Sequence, residues 1–274
     1  MLGSFLITEI RGVPIRLHVT AFFLLPMIYN QIPSPLTTLL VSCLILLSVA
    51  LHELGHTVVA QRYGITVHDI VLTPIGGMAR LRGLPENPRH EVRIALAGPY
   101  VSLLLAVTGF VLTLLSLRLG LRLQIFGWLT GLNLMLFLFN LLPSFPMDGG
   151  RILRGCLTRK KGAVEATRIA AKIGKSISVV FIIFGLASGR VSLALIGLFI
   201  MMSAGSEYRM MKMKHWQKQH LGGGGLEDAD FVAGPPPYAS SQQRNLPDNL
   251  IGDIVLTFRD LYEETRSIIL SSRP

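Results

Sequence analysis

Residues 39–62 read LLVSCLILLSVALHELGHTVVAQR. An apolar run of membrane length ends in His52-Glu53-Leu54-Gly55-His56. On an α-helix, residues four apart share a face. His52 and His56 can therefore hold one metal ion from the same side. Glu53 is turned around the helix but stands next to the first ligand, where it can take a proton from an attacking water. That is the base role in HExxH metallopeptidases. HExxH alone occurs by chance in many soluble helices. Here two imidazoles and a carboxylate sit in an apolar span, where ionisable groups are costly and mark function. With Arg62 as the end of the helix, His56 lies roughly 9 Å and His52 roughly 15 Å inward at 1.5 Å per residue. The reading places a metal within the bilayer, nearer that end.

The rest of the chain agrees with a membrane setting. Of 274 residues, 50% are hydrophobic and only 15% charged, and the mean hydropathy is +0.52. A soluble domain carries about 25% charge, so a water-soluble globular enzyme does not fit, and disorder does not either. Six apolar spans are predicted at 17–32, 36–62, 94–117, 123–142, 173–187 and 191–204. The second to fourth approach or exceed the ~20 residues a crossing needs; the others have short apolar cores. Lys and Arg favour the cytoplasmic side. With residue 1 inside, nineteen basic residues fall in inside segments and three, Arg118, Arg122 and Arg190, fall outside. That bias predicts six spans with both termini cytoplasmic; the expected location is a prokaryotic plasma membrane. The bias also accounts for most of the net charge of +10, and no motif points to nucleic acid. Cys43 and Cys156 match no disulfide framework or CxxC site.

The expected fold class is an all-α membrane protein. Six transmembrane helices accompany a short membrane-associated β-hairpin or sheet near the cytoplasmic side. Residues 1–16 form a β-like N-terminal segment rather than a signal peptide. The six-span domain covers 17–220. A Gly- and Pro-rich linker follows over 221–247, and apolar spacing over 248–274 predicts one amphipathic helix.

Two imidazoles do not complete a catalytic zinc site, which uses three protein ligands and a water. Asp148 is the best candidate for the third. It lies in Asn140-Leu-Leu-Pro-Ser-Phe-Pro-Met-Asp148-Gly-Gly, at the inner end of the fourth span by the charge count. Pro143 and Pro146 interrupt regular helix, and irregular backbone at this depth must be buried or line a wet cavity. The plainer alternative is a helix-ending loop whose Asp caps the next helix. Asn140 could stabilise an oxyanion or bond substrate backbone, or it could satisfy carbonyls freed near Pro143. Asn133, one helical repeat earlier, carries the same ambiguity.

In combination these motifs resemble the site-2 proteases, zinc-dependent intramembrane metalloproteases. Four match in order: HELGH at 52–56, Ile75-Gly76-Gly77 in the next loop, Ala97-Gly98-Pro99 in the third span, and NLLPxxPxDGG at 140–150. The resemblance covers about 100 residues, and the flanking spans are compatible with it. It implies one zinc ion per chain held by His52, His56 and Asp148, with Glu53 activating water. It also implies cleavage of a transmembrane protein substrate near the cytoplasmic side, in a branch with six spans. Met147 departs from the Leu usual before Asp-Gly, a mild apolar swap. No cystathionine-synthase-like pair or PDZ-like insertion is seen, so gating is expected to work differently or through regulatory membrane proteins. Residues 66–73 and 76–81 read as two short strands whose edge could bind an extended peptide by strand addition. The resemblance favours such substrate contact at Gly76, Gly77 and Met78. Two rivals are a catalytically silent metal-binding scaffold and a metal transporter. An intact Glu53 counts against the first, and the lack of an internal repeat against the second.

Overall fold

The computed structural model describes residues 3–220 apart from 33, 75, 82–84, 86 and 122. The expected linker at 221–247 and helix at 248–274 lie outside the described residues. The chain begins with two strands, β1 (Ser4–Ile10) and β2 (Val13–His18), then a 3-10 turn (Val19–Phe23) and the short helix α1 (Leu24–Tyr29). Helix α2 (Pro35–Arg62) leads to strands β3 (Val67–Thr73) and β4 (Gly76–Leu81). Five helices follow: α3 (Pro88–Arg118), α4 (Gln124–Asn140), α5 (Asp148–Lys161), α6 (Ala163–Ala187) and α7 (Val191–His220).

The helix limits follow from local chemistry. Pro35 and Pro88 open α2 and α3, where a missing N–H costs nothing and φ is already set. Asn87 caps α3 by accepting from the Arg89 N–H at 2.9 Å. Helix α2 ends as Gly64 takes φ 76°, a left-handed conformation open to glycine.

Helices α2, α3, α6 and the part of α7 up to Trp216 are long and apolar enough to cross a membrane. The apolar stretches Val19–Tyr29 and Gln124–Asn140 are shorter. The first expected span, 17–32, is not one helix, because Leu17 and His18 belong to β2. The fifth expected span, 173–187, is only the second half of α6, whose first half carries Arg168, Lys172 and Lys175. Those charges hide a helix from a search for apolar runs.

The expected hairpin or sheet is a small four-stranded sheet beside the helices. β3 and β4 form the expected antiparallel pair, with Val71 opposite Met78 and Leu72 opposite Gly77. β1 and β2 form a second antiparallel pair. Between β2 and β3 the pairing is parallel, with Ile15 opposite Ile70, giving one four-stranded sheet in the order β1-β2-β3-β4. Hydrophobic periodicity cannot reveal a parallel pairing across about 50 residues of chain. The sheet turns Val13, Ile15, Val67, Ile70 and Leu72 inward. They pack on Val49, Ala50 and Ala60 of α2 and on Ile94 of α3. The sheet therefore lies against the same stretch of α2 that carries HELGH.

The helices meet through small residues, as membrane bundles do. A methyl group at Gly109 of α3 would lie 2.8 Å from Thr130 Oγ1 of α4. One at Gly197 of α7 would lie 2.8 Å from the Ser178 carbonyl of α6. Leu104, Val107, Phe110, Val111 and Leu114 of α3 are exposed, as a lipid-facing surface requires.

Candidate metal centre

His52 and His56 stand one turn apart on α2, and both are buried. Their Nε2 atoms are 3.2 Å apart. Asp148 Oδ2 lies 3.2 Å from each of them. Three donor atoms from two elements nearly a hundred residues apart thus form an equilateral triangle. Among the described residues, this is the group of His, Cys, Asp and Glu side chains able to hold a metal ion.

Helix α3 supports both imidazoles from behind. His52 Nδ1 is 2.8 Å from Ser102 Oγ, and His56 Nδ1 is 2.7 Å from the Ile94 carbonyl oxygen. The Ile94 carbonyl only accepts, so His56 Nδ1 donates to it; with a metal ion on Nε2, His52 Nδ1 would likewise carry its proton and donate to Ser102 Oγ. Ile94, Gly98 and Ser102 fall on one stripe of α3, four residues apart. That stripe runs antiparallel to the His52–His56 stripe of α2. Gly98 sits between the two hydrogen bonds, and a methyl group there would strike His56 Nε2 and lie 2.7 Å from His52 Nε2. Gly55 allows the helices to approach, since its Cβ would be 2.8 Å from the Ala97 carbonyl.

Asp148 begins α5, just after an irregular turn through Ser144, Phe145 and the cis-bonded Pro146. A carboxylate in the first turn of a helix is favoured by its dipole. Phe145 is 2% exposed and packs with Ala170, Ala171 and Ala204 of α6 and α7. Gly150 is crowded by the same turn, its Cβ position lying 2.7 Å from the Ser144 carbonyl carbon. The Asp-Gly-Gly sequence is therefore a packing requirement as well as a donor. Arg154, two turns along α5 and 2% exposed, ties the helix to its neighbours. It donates to Glu91 of α3 at 2.7 Å and to Glu207 of α7 at 2.8 Å.

Glu53, one residue on from His52, lies under β4. A methyl group at Gly77 would strike its Cγ and lie 3.0 Å from Oε1. β4 is an edge strand, and Met78 is exposed on it. Gly76 pairs with Thr73 at the start of the strand. Arg80, at the far end of β4, is hydrogen-bonded to Asp69, which holds its guanidinium above the ordinary value.

Asn140 closes α4. Its Nδ2 donates to the Leu136 carbonyl of its own helix at 3.0 Å. Asn133 is the fully buried one and donates to Ser48 Oγ of α2 at 3.0 Å. Ser102 and the Ile94 carbonyl were missed from sequence. The four-residue spacing of Ile94, Gly98 and Ser102 was a readable signal, but only a helix pairing gives it meaning.

Two buried imidazoles and a carboxylate converging on one point, with a helix glutamate alongside and apolar helices around them, define a membrane protein with a metallopeptidase-type centre. The chain belongs to Peptidase family M50, whose model matches residues 40–122 and 116–184. A zinc metalloprotease of Methanocaldococcus jannaschii is 40% identical over 211 residues, covering 75% of this chain and 61% of the relative. Rip3 of Mycobacterium tuberculosis, whose name assigns it provisionally to the zinc metalloproteases, is 41% identical over 175 residues, 60% of this chain and 44% of its own. The chain thus spans less than two thirds of these relatives. The solved site-2 protease from Methanocaldococcus jannaschii is 40% identical and superposes with a TM-score of 0.58, over 75% of this chain and 95% of that structure.

Proposed function

We propose that this chain is a zinc-dependent intramembrane endopeptidase. Its substrate is a membrane protein, cut in or near a transmembrane segment. The observation that carries the reading is the 3.2 Å triangle of His52, His56 and Asp148. Zinc takes N and O ligands at about 2.0–2.1 Å in tetrahedral array. Three such ligands lie roughly 3.3 Å from one another, so the donor set and its spacing both suit one zinc ion. Bound there, zinc supplies a Lewis acid that polarises the scissile carbonyl and lowers the pKa of water towards 7.

The chain's own residues do the rest. Glu53 takes the proton from the attacking water and passes it to the leaving amine. The free edge of β4 receives the unwound substrate backbone as an added strand, with Gly76, Gly77 and Met78 along the contact. Gly77 has no side chain, so the strand lies directly over the Glu53 carboxyl. Asn140, near the DGG turn, meets the substrate backbone with its remaining amide hydrogen. The buried helices exclude bulk water, and access comes from the side bearing the basic segments.

The reading of the membrane follows. Six crossings of a prokaryotic plasma membrane remain the proposal, with both termini cytoplasmic, and regulatory membrane proteins are the expected gate. The first crossing is shared by β2, the 3-10 turn and α1. The fourth is shared by α4 and the turn that brings Asp148 to its ligand position.

Glu53→Gln tests the proposal. In proteoliposomes with a candidate membrane substrate, it should cut at least ~100-fold more slowly while still holding one zinc per chain. Undiminished cleavage with zinc retained would overturn the base role.

A further inference from the structure

Most hydroxyls in these helices do local work. Ser42, Thr108, Thr113, Thr130, Thr158 and Thr167 each donate to the carbonyl four residues back in their own helix. Such bonds satisfy a hydroxyl in an apolar surrounding and need no further purpose. Ser102 differs. Its oxygen is 2.8 Å from His52 Nδ1, on another helix and 50 residues away in sequence. Both residues are buried, and Ser102 has no exposed surface.

We infer that Ser102 is a positioning residue for the metal centre, acting through His52; this rests on the zinc reading above. By accepting the Nδ1 proton, the hydroxyl holds His52 in the tautomer whose Nε2 lone pair faces the proposed zinc position. It also sets the ring plane, which torsion about two side-chain bonds would otherwise leave free. His56 has a backbone carbonyl for the same task, which no substitution can remove. The centre therefore has one fixed imidazole and one whose orientation depends on a side chain. Ser102 is the point at which the affinity of the site can be tuned without touching a ligand. Partners of this kind change metal affinity by 10–100-fold when removed.

The test is zinc affinity of the purified full chain in detergent, stripped by chelation and titrated against a fluorescent zinc chelator. Ser102→Ala should bind zinc about 10–100-fold more weakly than wild type. Ser102→Thr, which keeps the hydroxyl, should recover most of that loss. Ser116→Ala is the matched control. It removes another buried serine of α3 whose hydroxyl bonds within its own helix, and it should leave affinity unchanged. Wild-type affinity in Ser102→Ala overturns the inference while leaving the zinc centre standing. Equal weakening in Ser116→Ala also overturns it, by showing a general loss of helix packing. Failure of the wild type to bind one zinc, or binding that survives His52→Ala, overturns the centre itself and the inference with it.

Discussion

At the scale of single residues, the centre is defined as much by what is missing as by its donors. Gly98 has no side chain because the space is taken by the ligand atoms of His56 and His52. Alanine there must push one imidazole out of the triangle, since helix backbone stands behind it. Gly98→Ala is expected to lower zinc affinity by at least ~100-fold, about 2.8 kcal/mol at 1.4 kcal/mol per decade. Gly127→Ala in α4 is the contrast, because nothing lies within 4 Å of its Cβ position. It should bind zinc normally and gain a few tenths of a kcal/mol from helix propensity. Comparable affinity in the two variants, read by chelator competition, would contradict the crowding argument. The donors themselves were legible in sequence. His52, Glu53 and His56 share a helix, so their geometry follows from spacing, and Asp148 stood out among few acidic residues in an apolar region. Ser102 was not legible, because its meaning depends on which α3 residue faces His52, and no local pattern fixes that.

At the scale of elements, α5 must hold Asp148 against α2 although it is the most polar helix in the bundle. Arg154 meets that need by joining α3, α5 and α7 through Glu91 and Glu207. Its side chain is 2% exposed, Glu91's 13% and Glu207's 27%. Removing one member of a buried ion pair strands the others, at a cost of about 3–5 kcal/mol. Arg154→Ala leaves two carboxylates facing each other and should lose stability on that order, read as a lower unfolding midpoint in detergent. Glu207→Gln should cost far less, because its partial exposure allows solvent to screen it. A larger loss from Glu207→Gln than from Arg154→Ala would show that the network is not centred on the arginine. The helices were visible in sequence only where they are apolar. The polar starts of α6 and the whole of α5 escaped, since their burial depends on partners such as Glu91 rather than on hydrophobicity. The parallel β2–β3 pair escaped for the related reason that its contacts are non-local.

At the scale of the whole molecule, the shortness of two apolar helices has a structural cause. β2 is paired with β3 in one sheet, and that sheet packs on α2 around Val49 to Ala60. Helix α2 starts at Pro35, 14 residues or about 21 Å from Val49. The chain between His18 and Pro35 must cover that distance, and α1 does so against Val41, packed with Leu24 and Ile28. In the proposed six-crossing arrangement a helix of full membrane length is not needed there, because the sheet would occupy part of the depth. Helix α4 has 17 residues, about 26 Å at 1.5 Å per residue. It falls short of a ~30 Å core because its chain must stop at the depth of His52 to deliver Asp148. In the proposed arrangement the turn after α4 completes the passage, and α5 runs on to Arg159, Lys160 and Lys161. The proposed count is therefore six crossings, although among the described residues four helices are of crossing length. The consequence can be measured by labelling single cysteines with a membrane-impermeant thiol reagent in a Cys43→Ser, Cys156→Ser background. Probes at Gly120 and Gly189, in the turns after α3 and α6, should react in intact cells. Probes at Gly64 and Gly162 should react only after permeabilisation. If α4 and the turn after it did not cross, Gly162 would share the side of Gly120, so labelling of Gly162 in intact cells would reject the six-crossing arrangement.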